Sequence, residues 1–197
     1  MLQQLDHIDR AIFLALNACH TPWLDTCMWY ISKMQLWLPV YAFLLYLLYK
    51  KYPAKQFLLV VLCVAITLVL CDRVAVELFK NTVMRLRPSH NPEIADHVHL
   101  VMDSYGHLYR GGQFGFFSNH ASNYFGVATL FYFLAKPLKT WAVILLLFWV
   151  LLISYSRIYL GVHYPGDVVA GACFGMLVGW LISRLFFLLN KKYFLPA

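Results

Sequence analysis

The chain of 197 residues is 61% apolar, 17% aromatic and only 13% charged, which excludes an ordinary soluble domain. Helices of about 20 residues that cross a bilayer would occupy most of this length, so we expect a single membrane-embedded domain over residues 1–197. The formal charge of +7 would point to nucleic acid in a soluble protein, but several lysines stand in short loops and we predict no nucleic-acid partner.

Residues 1–34 form an amphipathic N-terminal region that is interrupted at His20-Thr21-Pro22. This region predicts either an interfacial helix pair or, together with the next apolar run, a first membrane crossing. Five apolar runs follow, and each predicts a transmembrane helix: 35–49, 56–79, 119–135, 141–159 and 167–189. The predicted fold class is therefore all-α, a polytopic membrane helix bundle with five or six transmembrane helices.

Lysines determine the predicted orientation of this bundle. They occupy two short connections and the segment after the last run: Lys50, Lys51 and Lys55, then Lys136 and Lys139, then Lys191 and Lys192. Basic loops favour the cytoplasmic side of a membrane. Counting the spans between them predicts that the loop 80–118 and the short segment 159–166 both face outward.

A first cluster of cations closes the second apolar run. Lys80 and Arg87 are seven residues apart, which on a continuous helix places them on one face, with Arg73 and Glu77 on the same stripe. This spacing predicts a cationic ridge. Taken alone it is equally typical of basic side chains that extend from a helix end to the membrane surface.

The second cluster is a glycine-rich approach to a helix start at Ser118-Asn119-His120. With Ser118 or Asn119 as the cap, the free backbone N–H groups and the positive end of the helix dipole predict an anion site that needs no metal. Ser118 and His120 would point at the anion. The alternative is a flexible loop beside an interfacial histidine.

The third cluster begins with Arg157, whose planar guanidinium matches phosphate oxygens. Pro165 fits the first turn of the last helix, which leaves His163 just outside that helix and Asp167 in its opening turn. We expect Asp167 to bond one imidazole nitrogen of His163, so that the other nitrogen keeps a lone pair for attack.

Together these clusters resemble the three-part signature of the type 2 phosphatidic acid phosphatase superfamily, which shares its core site with vanadium-dependent haloperoxidases. Two parts are matched in full, by Lys80, Arg87 and Pro88 and by Ser156, Arg157, His163 and Asp167. The middle part, Pro-Ser-Gly-His in the family, reads Phe117-Ser118-Asn119-His120 here. Asn119 adds bulk beside the expected phosphate position and brings a side-chain donor.

The resemblance implies a lipid phosphatase in which His163 attacks phosphorus and forms a phosphohistidine. It implies that Asp167 supports His163 and that His120 protonates the departing oxygen. Phosphate would be bound by a set of cationic, hydroxyl and backbone groups: Lys80, Arg87, Ser118, Asn119 and Arg157. We expect no cofactor and no metal, because the loop residues that could suggest a metal site have no zinc or calcium spacing: His90, His97, His99, His107, Asp96 and Asp103.

The resemblance also implies a phosphorylated lipid substrate and a bacterial inner (cytoplasmic) membrane, with the site facing the periplasm or exterior. Within the family the chain looks most like members that act on undecaprenyl diphosphate, and we favour that substrate at this point. Lipid A, phosphatidylglycerol phosphate and phosphatidic acid are the alternatives. A non-catalytic lipid binder or transporter is the alternative of another class, and a haloperoxidase-like oxidase fits this membrane-rich chain poorly.

Overall fold

The computed structural model describes residues 2–194, and for residues 2 and 74–76 it describes the backbone alone. The described chain is helical, with only isolated β-bridges, so the predicted all-α class is confirmed. Eight α-helices are present in these residues: α1 Leu2–Asn17, α2 Pro22–Ile31, α3 Met34–Lys51, α4 Ala54–Val74, α5 Asn81–Val83, α6 Asn119–Ala135, α7 Thr140–Tyr159 and α8 Pro165–Phe194. A π-helical segment, Ala75–Lys80, joins α4 to α5.

Three helices in the described chain are long and apolar enough to cross a membrane. They are the continuous helix Ala54–Val83, α7 and α8, and the pair α2 and α3, bent by 49° at a short break, gives a fourth if it acts as one span. Helix α6 has 17 residues and is about 26 Å long, slightly shorter than the ~30 Å hydrocarbon core. The membrane helix bundle is confirmed, whereas the number of five or six spans stays a prediction.

The interruption predicted near residue 20 separates α1 from α2. Helix α1 ends at Asn17 and α2 begins at Pro22, after Thr21 in an extended conformation. Proline is favourable at this first position because its fixed φ suits a helix start and it has no N–H to leave unpaired. Helix α1 buries Phe13 against the bundle and exposes Leu5, Ile8 and Ile12 on another face, and its interfacial position stays a prediction.

Helices α6 and α8 form the centre of the bundle and pack backbone against backbone. Three glycines of α8 at four-residue intervals allow this approach, because a Cβ on any of them would collide with a carbonyl oxygen of α6 or of its N-cap: Gly171, Gly175 and Gly179. Small residues at this spacing are typical of close helix contacts in membranes. At the top of the contact the Ser118 N–H donates to the Asp167 carbonyl oxygen at 3.0 Å.

The basic connections meet at one end of the bundle. Lys51 Nζ donates to the carbonyl oxygen of Lys136 at 2.5 Å, and the Tyr52 hydroxyl donates to the carbonyl oxygen of Leu134 at 2.9 Å. The loop 84–118 and the turn 160–164 lie at the other end of the helices. The two groups of loops are therefore separated as the sequence predicts, and the side of the membrane that each group faces stays a prediction.

Candidate active site

The predicted helical stripe through Lys80 and Arg87 is wrong. The helix ends at Val83, and Met84 adopts a left-handed conformation with φ 47°. Arg87 is extended, with φ −65° and ψ 156°, because Pro88 disfavours helix in the residue before it. Arg87 therefore enters the site from a loop and not from a helix face.

The rest of the predicted ridge divides in the same way. Arg73 and Glu77 are both exposed and lie 4.0 Å apart as an ion pair. Lys80 is partly buried and interacts electrostatically with Arg87 and Arg157. Two of the four members thus belong to the surface of the helix, and the other two converge on the site.

Arg87 contacts His163 directly. Its Nη1 lies 3.0 Å from His163 Nε2 and also donates to the carbonyl oxygen of Val162 at 2.9 Å, while its Nε donates to the carbonyl oxygen of Phe114 at 3.2 Å. Burial and the nearby Arg157 lower the pKa of Arg87 to about 10, so the guanidinium keeps its charge at neutral pH. The arrangement presents a fixed cation to whatever group His163 Nε2 faces.

His163 is buried, with 2% of its surface exposed. Burial lowers its pKa well below the usual histidine value, and the positive charges of Arg87, Arg157 and Lys80 lower it further. The imidazole is therefore neutral at neutral pH, and one of its nitrogens carries a free lone pair.

The expected bond between Asp167 and His163 is not formed in this structure. Asp167 Oδ2 lies 3.6 Å from His163 Nδ1, beyond hydrogen-bond distance, and Nδ1 has no hydrogen-bond partner within the described chain. The two carboxylate oxygens accept from other donors instead: Oδ2 from the Tyr164 N–H at 3.0 Å and Oδ1 from Arg85 Nη1 at 2.8 Å. The predicted start of the last helix at Pro165 is confirmed, and it places Asp167 beside the imidazole.

Arg157 adds a second buried guanidinium, 3% exposed. Its Nη2 donates to the Tyr109 hydroxyl at 3.0 Å, and its buried Nε has no partner among the described residues. A buried donor left without an acceptor is costly in a protein interior. An anion in the site would satisfy it.

The start of α6 is as predicted, with Ser118 as the N-cap. The Ser118 side chain is fully buried and its Oγ accepts from the Ala121 N–H at 3.4 Å. Asn119 is turned toward α4, where its Nδ2 donates to Asp72 Oδ1 at 2.8 Å. His120, one residue further along α6, interacts electrostatically with Arg157 and His163. The structure thus brings Lys80, Arg87, Ser118, His120, Arg157, His163 and Asp167 to one end of the bundle.

Arg85 and Tyr109 are site residues that the sequence did not single out. Arg85 bridges Asp167 to two carboxylates of α1, Asp6 and Asp9. Nothing in the local pattern shows that helix α1 contacts the site, because Arg85 lies more than seventy residues after Asp6 and Asp9. Tyr109 stands in an irregular loop, where spacing carries no structural signal.

The loop histidines do not gather around Asp96 and Asp103, and the one pair among them is His107 Nδ1 with Asp103 Oδ2, 3.9 Å apart within the described residues. In residues 2–194 no three His, Cys, Asp or Glu side chains lie together as possible metal ligands. His99 instead points its Nε2 at Asp25 Oδ1, 2.9 Å away, and its ring stacks on His20 with a centroid separation of 3.6 Å.

Residues 56–191, more than half of the chain, match the PAP2 superfamily, and the chain belongs to that superfamily. Together with the curated relatives of the chain, this match shows an integral membrane phosphatase that acts on lipid phosphates. It is a bacterial membrane protein by its relatives and its spanning helices.

Two curated relatives are lipid A 4′-phosphatases. The chain is 41% identical over 183 residues to that of Bacteroides thetaiotaomicron, covering 92% of this chain and 78% of the relative. It is 35% identical over 199 residues to that of Porphyromonas gingivalis, covering 98% and 78%.

Two crystal structures resemble the bundle. The PAP2-type phosphatidylglycerolphosphate phosphatase of Bacillus subtilis superposes with a TM-score of 0.67 at 25% identity, covering 98% of this chain and 90% of that one. The LpxE protein of Aquifex aeolicus superposes with a TM-score of 0.59 at 25% identity, covering 88% and 93%.

Proposed function

We propose that this chain removes the 4′-phosphate of lipid A. The observation that carries the proposal is the likeness to two lipid A 4′-phosphatases across 92% and 98% of the chain. The substrate that we favoured from the sequence, undecaprenyl diphosphate, has no support among these relatives. Lipid A replaces it as the leading substrate.

His163 is the nucleophile in this proposal. Its neutral imidazole has Nδ1 facing Asp167 and Nε2 facing Arg87, so Nε2 is the nitrogen on the anion-binding side. The Nε2 lone pair forms a bond to phosphorus while the bond from phosphorus to the sugar oxygen breaks and its electron pair goes to that oxygen. As positive charge develops on the His163 ring, Asp167 Oδ2 would move from 3.6 Å to hydrogen-bond distance of Nδ1 and balance that charge. Catalytic hydrogen bonds are often long in free enzymes and shorten when substrate binds.

Arg87 and Arg157 would bind the phosphoryl oxygens. Arg87 now donates to His163, and it would exchange this contact for a phosphate oxygen when substrate binds, which releases the Nε2 lone pair. The unpartnered Arg157 Nε provides another donor. Lys80, the Ser118 hydroxyl and the backbone at Asn119 complete the cradle, and together these groups stabilise the charge that spreads over the phosphoryl oxygens in the transition state.

His120 is the general acid and then the general base. His120 takes up a proton from solvent when the anionic phosphate binds beside it, and it gives this proton to the sugar oxygen as that oxygen leaves. It then accepts a proton from the water that attacks the phosphohistidine. The bond from phosphorus to Nε2 then breaks, orthophosphate departs, and His163 regains its lone pair. Each bond that forms is matched by one that breaks, and His120 returns to the protonation state that it had with substrate bound.

The proposed location is the bacterial inner membrane, with the site at the periplasmic face. The lysine-rich loops meet at the end of the bundle opposite the site, which favours this orientation under the positive-inside rule. Removal of a phosphate there would reduce the negative charge of a surface lipid and weaken its attraction for cationic peptides.

A substrate comparison tests the assignment. Purified protein in detergent is given, at matched surface concentration, lipid A phosphorylated only at the 4′ position, lipid A phosphorylated only at the opposite end of the headgroup, undecaprenyl diphosphate and phosphatidylglycerol phosphate. We expect the highest kcat/KM on the first of these. Faster phosphate release from undecaprenyl diphosphate would identify that lipid as the preferred substrate. Equal rates on the two lipid A forms would contradict a preference for the 4′-phosphate.

A further inference from the structure

Arg85 connects the N-terminal helix to the carboxylate beside the reacting histidine. Its Nη1 donates to Asp167 Oδ1 at 2.8 Å, and its Nη2 donates to Asp6 Oδ1 at 2.9 Å and to Asp9 Oδ2 at 2.8 Å. The guanidinium also lies over the Tyr164 ring, 4.1 Å from its centroid. One planar group therefore bridges three carboxylates from two ends of the chain.

Asp9 contacts the first turn of α8 as well as Arg85. Its Oδ1 accepts from the Gly166 N–H at 2.8 Å, a donor that the helix itself leaves unpaired. A Cβ at position 166 would lie 2.7 Å from Asp9 Oδ2, so glycine there permits the close approach. Asp9 thus holds the residue next to Asp167 through the backbone and holds Asp167 itself through Arg85.

Asp6 ties the same network to the loop above it. Its Oδ2 lies 2.7 Å from Arg10 Nη2, and Arg10 also pairs with Glu93. Helix α1 lies outside the residues 56–191 that match the superfamily. The N-terminal helix of this chain therefore reaches an aspartate that belongs to the matched site.

We propose that Asp9, assisted by Asp6, is a positioning residue that acts through Arg85 to set the placement and charge of Asp167 and thereby the rate of phosphoryl transfer. This inference rests on the proposed function, because it takes His163 and Asp167 as the reacting pair. Arg85 bound to Asp167 alone would cancel the charge that supports His163. The two carboxylates of α1 neutralise Arg85 and leave Asp167 able to act on the imidazole.

The charges around His163 determine the sign of the expected effects. One carboxylate, Asp167, faces His163. The other groups that face it or act on it are positive or polar: Arg87, Arg157, Lys80 and His120. Removing the positive charge of Arg85 should favour protonation of His163 and move the acid limb of kcat/KM to higher pH. Removing the negative charge of Asp9 should move that limb to lower pH or leave it below the accessible range.

The test compares Arg85→Met, Arg85→Lys and Asp9→Asn with Glu93→Gln in the full-length protein. Glu93→Gln is the matched control, because it breaks a carboxylate contact of α1 that does not touch Arg85. We expect kcat to fall about 100-fold in Arg85→Met, the scale of a displacement of about 1 Å in a reacting group, with KM within about twofold of the wild-type value. Arg85→Lys should recover part of the loss, Asp9→Asn should lower kcat about tenfold, and Glu93→Gln should match the wild type.

The pH profiles separate positioning from simple loss of structure. All variants share one substrate, so its own ionisation cancels from the comparison, and only Arg85→Met should move the acid limb upward. Wild-type kcat in Asp9→Asn, or an acid limb in folded Arg85→Met that coincides with that of the wild type, would overturn the inference. If Arg85→Met fails to fold, Asp9→Asn alone decides, and wild-type kcat in that variant rejects the inference. His163→Ala, assayed in parallel, reports on the proposed function separately, since activity in that variant rejects the mechanism whatever the α1 variants do.

Discussion

At His163 two neighbours hold opposite sides of one ring. Arg87 lies 3.0 Å from Nε2 and Asp167 lies 3.6 Å from Nδ1. Because cations surround a buried imidazole, the pKa of His163 is lowered. The histidine that we propose as the nucleophile is therefore neutral in the free enzyme over the pH range in which an exposed histidine would titrate.

The charge state of His163 gives the first prediction. In the substrate-free protein labelled with ¹⁵N-histidine, the His163 ring should remain neutral as pH falls through ~6.5, the usual histidine pKa. An NMR titration in detergent micelles measures this, with His163→Gln to assign the signal. A midpoint at or above ~6.5 would contradict the prediction that burial and cations keep the ring uncharged.

The role of His120 gives the second prediction, which depends on the leaving group. General acid catalysis by a side chain is typically worth ~100 to 10,000-fold, so His120→Ala should be severely impaired on lipid A. An aryl phosphate with a strongly electron-withdrawing ring leaves without protonation, and the variant should recover much of its rate there. Steady-state rates on both substrates measure this.

His163→Ala is the control for that comparison and should be inactive on both substrates. An equal loss for His120→Ala on the two leaving groups would mean that His120 binds or positions phosphate. The general acid would then have to be another group.

Local spacing predicted some of these residue positions and not others. Pro165 fixed the start of α8 correctly, and from it the placement of Asp167 beside His163 follows within one turn. The same reasoning failed at Lys80 and Arg87, because a seven-residue spacing implies a shared face only if the helix continues, and Met84 and Pro88 end it. The expected bond between Asp167 and His163 is absent from the structure because the oxygens of Asp167 accept from Arg85 and from a backbone N–H instead.

At the scale of elements, the contact between α6 and α8 aligns the parts of the site. Ser118 caps α6 and donates its N–H to the carbonyl oxygen of Asp167 in α8. The glycines of α8 hold the two helices at backbone contact below this point. A change in that spacing would therefore separate the end of α6 that we propose binds phosphate from the aspartate of α8.

Gly175→Val gives the third prediction. Its Cβ would meet the Ser122 carbonyl oxygen and Gly126 N of α6, which are backbone atoms that cannot rotate away. Overpacking of this kind costs at least ~1–3 kcal/mol, and we expect a lower melting temperature in detergent together with lost activity. Gly112→Ala is the control for stability, because a Cβ there meets nothing within 4 Å. Equal melting temperatures for the two variants would show that the helices tolerate separation.

The apolar runs predicted helices well because a bilayer requires internally paired backbone. All five predicted runs fall within helices of the structure. The role of α1 could not be predicted in the same way, since its amphipathic pattern indicates a surface helix but not what its polar face contacts. The network of Asp6, Asp9 and Arg85 is a tertiary contact that no local periodicity encodes.

At the scale of the whole molecule, the lysine-rich loops and the candidate active site lie at opposite ends of the bundle. Lys51 and Lys136 meet at one end, and the cluster around His163 lies at the other. In the proposed orientation the lysines face the cytoplasm, and the site meets lipid headgroups in the outer leaflet of the inner membrane.

Thiol labelling tests this orientation and gives the fourth prediction. In a background without the five native cysteines, Ser104→Cys should react in intact cells with a membrane-impermeant thiol reagent, whereas Lys139→Cys should react only after permeabilisation. Both positions are exposed, so access and not burial decides the result. Reversed labelling would place the site in the cytoplasm and exclude lipid A in the outer leaflet as its substrate.

The central claim, that a histidine at this site removes phosphate from lipid A, is tested most directly by phosphate release from purified lipid A. Wild-type protein in detergent should release one orthophosphate per lipid, with a product that mass spectrometry shows to have lost a single phosphate. His163→Ala should insert, purify and bind the lipid as the wild type does, yet release none. Phosphate release by His163→Ala at a rate near that of the wild type would contradict the account, as would a wild-type protein that binds lipid A and leaves both of its phosphates in place.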